Sequence, residues 1–137
     1  YFRSSHAGRG VACGDLDDDG GLDLVVVHQN APPTLLRNRR PLKNFVRLKL
    51  VGTRATPSAF GAHITLMSPQ KVLTRYIRGG GGYFSQSDLR VLFPVNPEEP
   101  ILVRVTWPTG DAEVFGNLSP GNTHVLVQGE GDASEPH

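Results

Sequence analysis

Asp15-Leu16-Asp17-Asp18-Asp19-Gly20-Gly21-Leu22-Asp23 gathers five of the chain's eight aspartates into nine residues. Carboxylates this dense repel one another, so a compact loop of them is unfavourable unless a cation sits at its centre. Four of them, Asp15, Asp17, Asp19 and Asp23, take positions 1, 3, 5 and 9 of the run. Alternation lets the first three side chains turn toward one point, and Gly20 permits the sharp turn that brings Asp23 back to it. Hard oxygen ligands in a flexible loop suit Ca²⁺, whereas Mg²⁺ wants a smaller, stricter octahedron and keeps more of its water. The expectation is a calcium site made by Asp15, Asp17, Asp19 and Asp23, with the backbone carbonyl of Gly21 as a fifth ligand and Asp18 pointing outward.

An EF-hand competes for this pattern and fails on two counts. Its twelfth position should be a bidentate glutamate but is Val26, and its flanks should be helices. Here Gly10-Val11-Ala12-Cys13 leads in and Leu24-Val25-Val26-Val27 leads out, both β-branched or small and strand-like. The loop therefore joins two strands, expected over 9–15 and 22–28.

With its flanks, the run from Gly8 to Val26 resembles an FG-GAP/VCBS repeat, the calcium-loop blade of integrin-like β-propellers. Three later segments, Phe60-Gly61-Ala62, Gly79-Gly80-Gly81-Gly82-Tyr83-Phe84-Ser85-Gln86-Ser87-Asp88 and Val105-Thr106-Trp107-Pro108-Thr109-Gly110, resemble the ASPIC/UnbV domain. That domain closes the carboxyl end of such repeat proteins, the arrangement of cartilage acidic protein-like chains and of many secreted bacterial ones. The resemblance implies an exported, calcium-binding β module. After the strand at 89–93 the family runs on with a glycine-containing turn. This chain instead has Pro94-Val95-Asn96-Pro97-Glu98-Glu99-Pro100, expected to be a stiff, extended loop.

Several function classes fall away on composition. No apolar run approaches the ~18 residues a membrane-spanning helix needs. One cysteine, Cys13, cannot form an internal disulfide and reads as a small buried thiol. The four glycines of 79–82 are followed by no Lys-Ser/Thr and open no helix, so they are not a phosphate loop; they supply positive φ or close backbone approach. Tyr83 to Asp88 then makes a polar and aromatic corner, read as a structural latch ahead of a recognition surface. A hydrolase would need a nucleophile, a base and a group to orient the base. Ser85, Ser87, Asp88 and five histidines (His6, His28, His63, His124, His137) are present, but without a nucleophile elbow or a metal-spaced histidine pair. No catalytic residue and no organic cofactor are expected.

The net charge of +1 conceals a block pattern: residues 24–87 carry ten Lys or Arg and no acid, and residues 88–137 carry eight acids and two Arg. Nucleic acid could use the basic middle. The alternation in Phe45-Val46-Arg47-Leu48-Lys49-Leu50 favours the plainer reading, a strand with one wet face.

Sixteen glycines and eleven prolines scattered among short apolar runs argue for an all-β chain. Residues 1–43 read as a partial blade whose third strand is Thr34–Asn38, after a turn at Asn30–Pro33. Residues 44–130 read as a small antiparallel β-sandwich or partly open barrel of seven strands, and 131–137 as a tail. A chain of 137 residues that begins at Tyr1 reads as an excised piece of a longer, secreted or periplasmic protein. A lone blade cannot cover both its faces, so it must pack on something. Two functions follow. One is a non-catalytic, calcium-binding module that contacts protein or glycan partners. The other is a structural subunit of an extracellular or periplasmic assembly, completed by strand addition from a neighbour.

Overall fold

The computed structural model describes residues 1–3 and 5–134, so the last three residues of the expected tail, and His137 with them, lie outside the described residues. The fold is all-β, with eleven strands in three open sheets among the described residues. Two compact units emerge. The first comprises Tyr1–Leu42 together with Gly79–Asp88, and the second comprises Lys43–Arg78 and Leu89–His137. The chain thus leaves the first unit at Leu42 and returns to it for one ten-residue segment.

The first unit holds β1 (Gly8–Gly14), β2 (Asp23–His28) and β3 (Ala31–Leu36) in an antiparallel meander. The third strand starts earlier than Thr34, with Pro32 and Pro33 inside it rather than in a turn before it. An end strand tolerates proline because its outward side needs no ladder donor. Pairing of Cys13 with Leu24 and Leu24 with Leu36 lines up one apolar row, and Ala12, Val25 and Leu35 form the next on the opposite face. Both faces of this small sheet are therefore apolar, and Val11, Leu24, Val27 and Leu35 are exposed.

In the second unit, β4 (Phe45–Val51) lies between β7 (Val91–Pro94) and β10 (Asn122–Val127). The larger sheet runs β11–β9–β8–β5–β6, built from β5 (His63–Met67), β6 (Val72–Tyr76), β8 (Leu102–Thr106), β9 (Ala112–Phe115) and β11 (Asp132–Ser134). Every ladder is antiparallel except β10 against β4. Strand β11, in the stretch read as tail, adds an eighth strand to this unit. Alternate side chains meet in one core: Val46, Leu48 and Leu50 from β4, Ile64 and Leu66 from β5, Val103 and Val105 from β8, with Phe93, Trp107 and Leu126.

Two local readings change. Arg47 is buried rather than wet: its guanidinium donates to Thr123 Oγ1 at 3.0 Å and lies 5.1 Å over the Phe45 ring. Alternation misleads here because the second face of β4 is buried at Phe45 and Arg47 and is exposed only at Lys49. The proline-rich stretch is not simply extended, since Asn96 accepts from Glu98 N–H through Oδ1 and from Glu99 N–H through its carbonyl, folding a turn.

The motif-like segments acquire structural reasons. Ala59 and Ala62 are fully buried in a tight turn that needs Gly61 at φ 91°. After Trp107, the chain turns through Gly110 at φ 94°, with Gly110 N–H donating to the Trp107 carbonyl and Trp107 N–H to Asp111. Nearby, the buried Gln128 amide bonds the N–H groups of Thr53 and Arg54 and the Asp111 carboxylate. The Thr109 hydroxyl, then Gln128, hold the Asp111 carboxyl below the usual carboxylate range. A carboxyl-detected NMR titration should show Asp111 with a midpoint below that of an unfolded aspartate, about 3.9. Its stabilisation is whole above the unfolded value and is lost as pH falls through the folded one.

Candidate metal centre

Asp15 follows the last residue of β1 and Asp23 is the first of β2; both are 2% exposed, so two buried carboxylates bracket the loop. A buried carboxylate must be satisfied. Asp15 accepts from Asp19 N–H at 3.1 Å through Oδ1 and from Gly20 N–H at 2.7 Å through Oδ2. Asp23 accepts from Leu16 N–H at 3.2 Å and from Asn38 N–H at 2.7 Å. The loop folds back through Asp18 at φ 59° and Gly20 at φ 83°.

This winding brings Asp15, Asp17 and Asp19 together, one carboxylate oxygen from each lying within 4.8 Å of the others. Asp18 is exposed. Asp23 stands beside the group with its oxygens on the Leu16 and Asn38 amides, and Gly21 donates its N–H to Asp19 Oδ1 at 2.7 Å. A Cβ on Gly21 would lie 2.9 Å from that same oxygen and 3.3 Å from the Arg40 carbonyl, so this position needs glycine for space. Each ionised carboxylate has about four lone-pair sites, so the backbone amides leave acceptor capacity for a cation. The donors are all hard oxygens, which fits Ca²⁺ better than a softer transition metal.

One partner in this region carries no pattern visible in the loop itself. Arg37, one residue past β3, pairs with Asp17, both groups partly solvated. Asn38 follows and ties the end of β3 to Asp23. Their signal in sequence is only position, two polar residues where an apolar strand stops.

The returning segment Gly79–Asp88 lies along β1. Asp88 N–H donates to the Cys13 carbonyl at 2.9 Å, Cys13 N–H to Ser87 Oγ at 3.2 Å, and Ser85 Oγ to the Val11 carbonyl at 2.8 Å. The Cys13 thiol sits 3.4 Å from Ser87 Oγ. Ser85 and Ser87 thus act as clasps on the sheet edge. A Cβ at Gly10 would lie 2.9 Å from the Tyr83 carbonyl oxygen, and one at Gly82 only 2.3 Å from Ser85 Oγ, so close approach is what these glycines supply. We expect Gly10→Ala to cost about 1–3 kcal/mol by forcing the segment off β1. Faster amide exchange at Asp88, against an unchanged His63–Met67 ladder, would show it.

The histidines are spread out. His28 is buried with Nε2 2.9 Å from Thr34 Oγ1, and its ring lies 5.3 Å from that of His6. His63 packs edge-on to Tyr76, and His124 Nε2 lies 3.0 Å from the Ser119 carbonyl.

The family described as ASPIC and UnbV matches residues 52–133. Cartilage acidic protein 1 of Xenopus tropicalis is 31% identical over 135 residues, 95% of this chain and 20% of that protein. The Homo sapiens protein of the same name is 29% identical over 125 residues, 88% of this chain and 19% of its own length. The chain therefore spans about a fifth of these relatives. The aspartate loop lies before the family-matched residues, within the span aligned to the Xenopus protein.

Proposed function

The chain belongs to the ASPIC and UnbV family, and from that premise we propose that it is a non-catalytic, extracellular interaction module whose first unit is an FG-GAP-like blade held by calcium. The observation that carries the reading is the convergence of Asp15, Asp17 and Asp19 on one point between two strands. Asp15, Asp17, Asp19 and Asp23, with the Gly21 carbonyl, are the proposed ligands, and the ion's role is structural. By neutralising the loop it would fix the end of the β1–β2 hairpin. The extracellular setting is supported by the cartilage acidic protein relatives and by free calcium there matching the modest affinity of such modules, on the order of 10⁻⁴–10⁻³ M. No helix is long and apolar enough to cross a membrane among the described residues.

The contact surface for a protein or glycan partner is supported by the two apolar faces of the first unit, with Val27 48% and Leu35 57% exposed. Contiguous exposed apolar surface marks places where something docks. The competing role, a subunit completed by a neighbour's strand, loses its best edge, because the segment around Ser85–Asp88 already occupies β1. Sedimentation in calcium separates the two: a module should run as a monomer, and a strand-exchanging subunit as an oligomer.

A further inference from the structure

We propose that the free edge of β6 is a docking strand for an extended, acidic segment of a partner protein, which would add to the five-stranded sheet as a sixth strand. This deepens the interaction-module reading and rests on it, but it involves only the second unit and needs no cation.

The outward side of β6 follows from its hairpin. Ser68 and Lys71 exchange both backbone hydrogen bonds, so the pairs alternate from there. Leu73 and Arg75 face β5 with their N–H and C=O groups, and Val72, Thr74 and Tyr76 face away from it. Because β6 ends the sheet, those outward groups have no ladder partner among the described residues. They repeat at the spacing an added strand requires. On the outer face, Val72 is 66% and Tyr76 48% exposed, flanking Thr74, so apolar and aromatic surface accompanies the open backbone.

Charge decides the occupant. Arg75 lies in the strand and Lys71 and Arg78 flank it, inside the 64-residue stretch 24–87 that holds no acid. Arg75 donates to the Thr74 carbonyl at 3.0 Å, which places a guanidinium at the open edge, where a partner's carboxylate would find it. A second copy of the chain fits badly. Antiparallel β6–β6 pairing about Thr74 would set Lys71 of each copy diagonal to Arg75 of the other, and like charges across a ladder destabilise it. An acidic strand reverses that sign at every position.

The other end strands suit this role less well. Strand β11 has three residues, β7 ends at Pro94, β3 contains Pro32 and Pro33, and β10 carries no formal charge.

The test uses the full chain, ¹⁵N-labelled, and a capped eight-residue peptide in which glutamate alternates with valine. A matched peptide carrying lysine for glutamate is the control. Shifts should concentrate at Val72, Thr74 and Tyr76 with the acidic peptide, weaken in high salt, and persist in EDTA, which separates this surface from the calcium reading. Thr74→Pro removes one outward N–H while leaving the β5 ladder bonded, and should abolish binding. Lys71→Glu with Arg75→Glu should lower affinity for the acidic peptide about tenfold or more and confer binding of the lysine peptide. No shifts at these amides with the acidic peptide, equal binding of both peptides, or self-association through β6 would each overturn the proposal.

Discussion

Trp107→Ala should destabilise the second unit by about 3–5 kcal/mol, the usual cost of emptying a large aromatic site. Domain stabilities run to roughly 5–15 kcal/mol, so this one change removes a large share. The side chain is 2% exposed and lies among the residues of the β4, β5 and β8 core. Its backbone also opens the turn that Gly110 closes. Trp107→Phe should be much milder. The indole Nε1 is buried without a hydrogen-bond partner among the described residues, so phenylalanine keeps most of the apolar area and removes an unsatisfied donor. Urea unfolding followed by circular dichroism checks both variants. A loss under 1 kcal/mol for Trp107→Ala would place the ring outside the core. Because Trp107 is the chain's single tryptophan, a blue-shifted, poorly quenched native emission reports the same burial without mutation.

Local pattern made much of this architecture legible. Alternation at Ile101, Val103, Val105 and Trp107 found β8 and its inward face, because one side of that strand meets the core and the other meets water. The same rule failed at Arg47, which is buried although Lys49 on the same face is exposed, and no short-range signal tells the two positions apart. The parallel placement of β10 beside β4 joins residues about 76 apart, a pairing that periodicity cannot encode. Strand β11 is three residues long and exposed or half-buried, so it lacks the apolar alternation by which strands are found.

At the candidate site, the aspartate spacing named Asp15, Asp17 and Asp19, whose carboxylates converge, and with them Asp23, whose oxygens instead take the Leu16 and Asn38 amides. What spacing could not show is the division of labour among them. Asp15 and Asp23 are buried and hold loop and strand amides, while Asp17 is partly solvated and faces Arg37. The edge of β1 carries a similar lesson. Sequence left the blade to be covered by something and marked Tyr83–Asp88 as a latch, but nothing local says that the latch closes the edge of β1, because the two are about 74 residues apart. Phe84 lies within that latch, and its φ of 46° and its 94% exposure are features only structure reveals.

The calcium reading predicts opposite responses at two neighbouring side chains. Calcium at one hundred times its dissociation constant should stabilise the first unit by about 2.7 kcal/mol, provided the unfolded chain binds none. The local reporters are the amides of Leu16, Asp19, Gly20 and Asn38, which donate into Asp15 and Asp23 and should exchange more slowly once the loop is neutralised. Asp17→Ala should be nearly silent in EGTA, because it deletes a solvated pair with Arg37 worth at most ~1 kcal/mol. In calcium the same substitution should forfeit most of the metal's stabilisation. Asp15→Ala should differ by costing stability even in EGTA, since it strands the amides of Asp19 and Gly20 at a buried site, a loss of about 1–3 kcal/mol. Arg37→Gln should act in the other direction. A guanidinium about 4 Å from a divalent ion opposes it by about 2 kcal/mol even in water before salt screening, so its removal should tighten calcium binding roughly 10–30-fold. Calorimetric titration measures these affinities, and exchange rates with and without EGTA measure the coupling. Absence of binding heat, together with exchange rates at the four amides that ignore calcium, would leave Asp15 and Asp23 as backbone clasps and Asp17 as the partner of Arg37 alone.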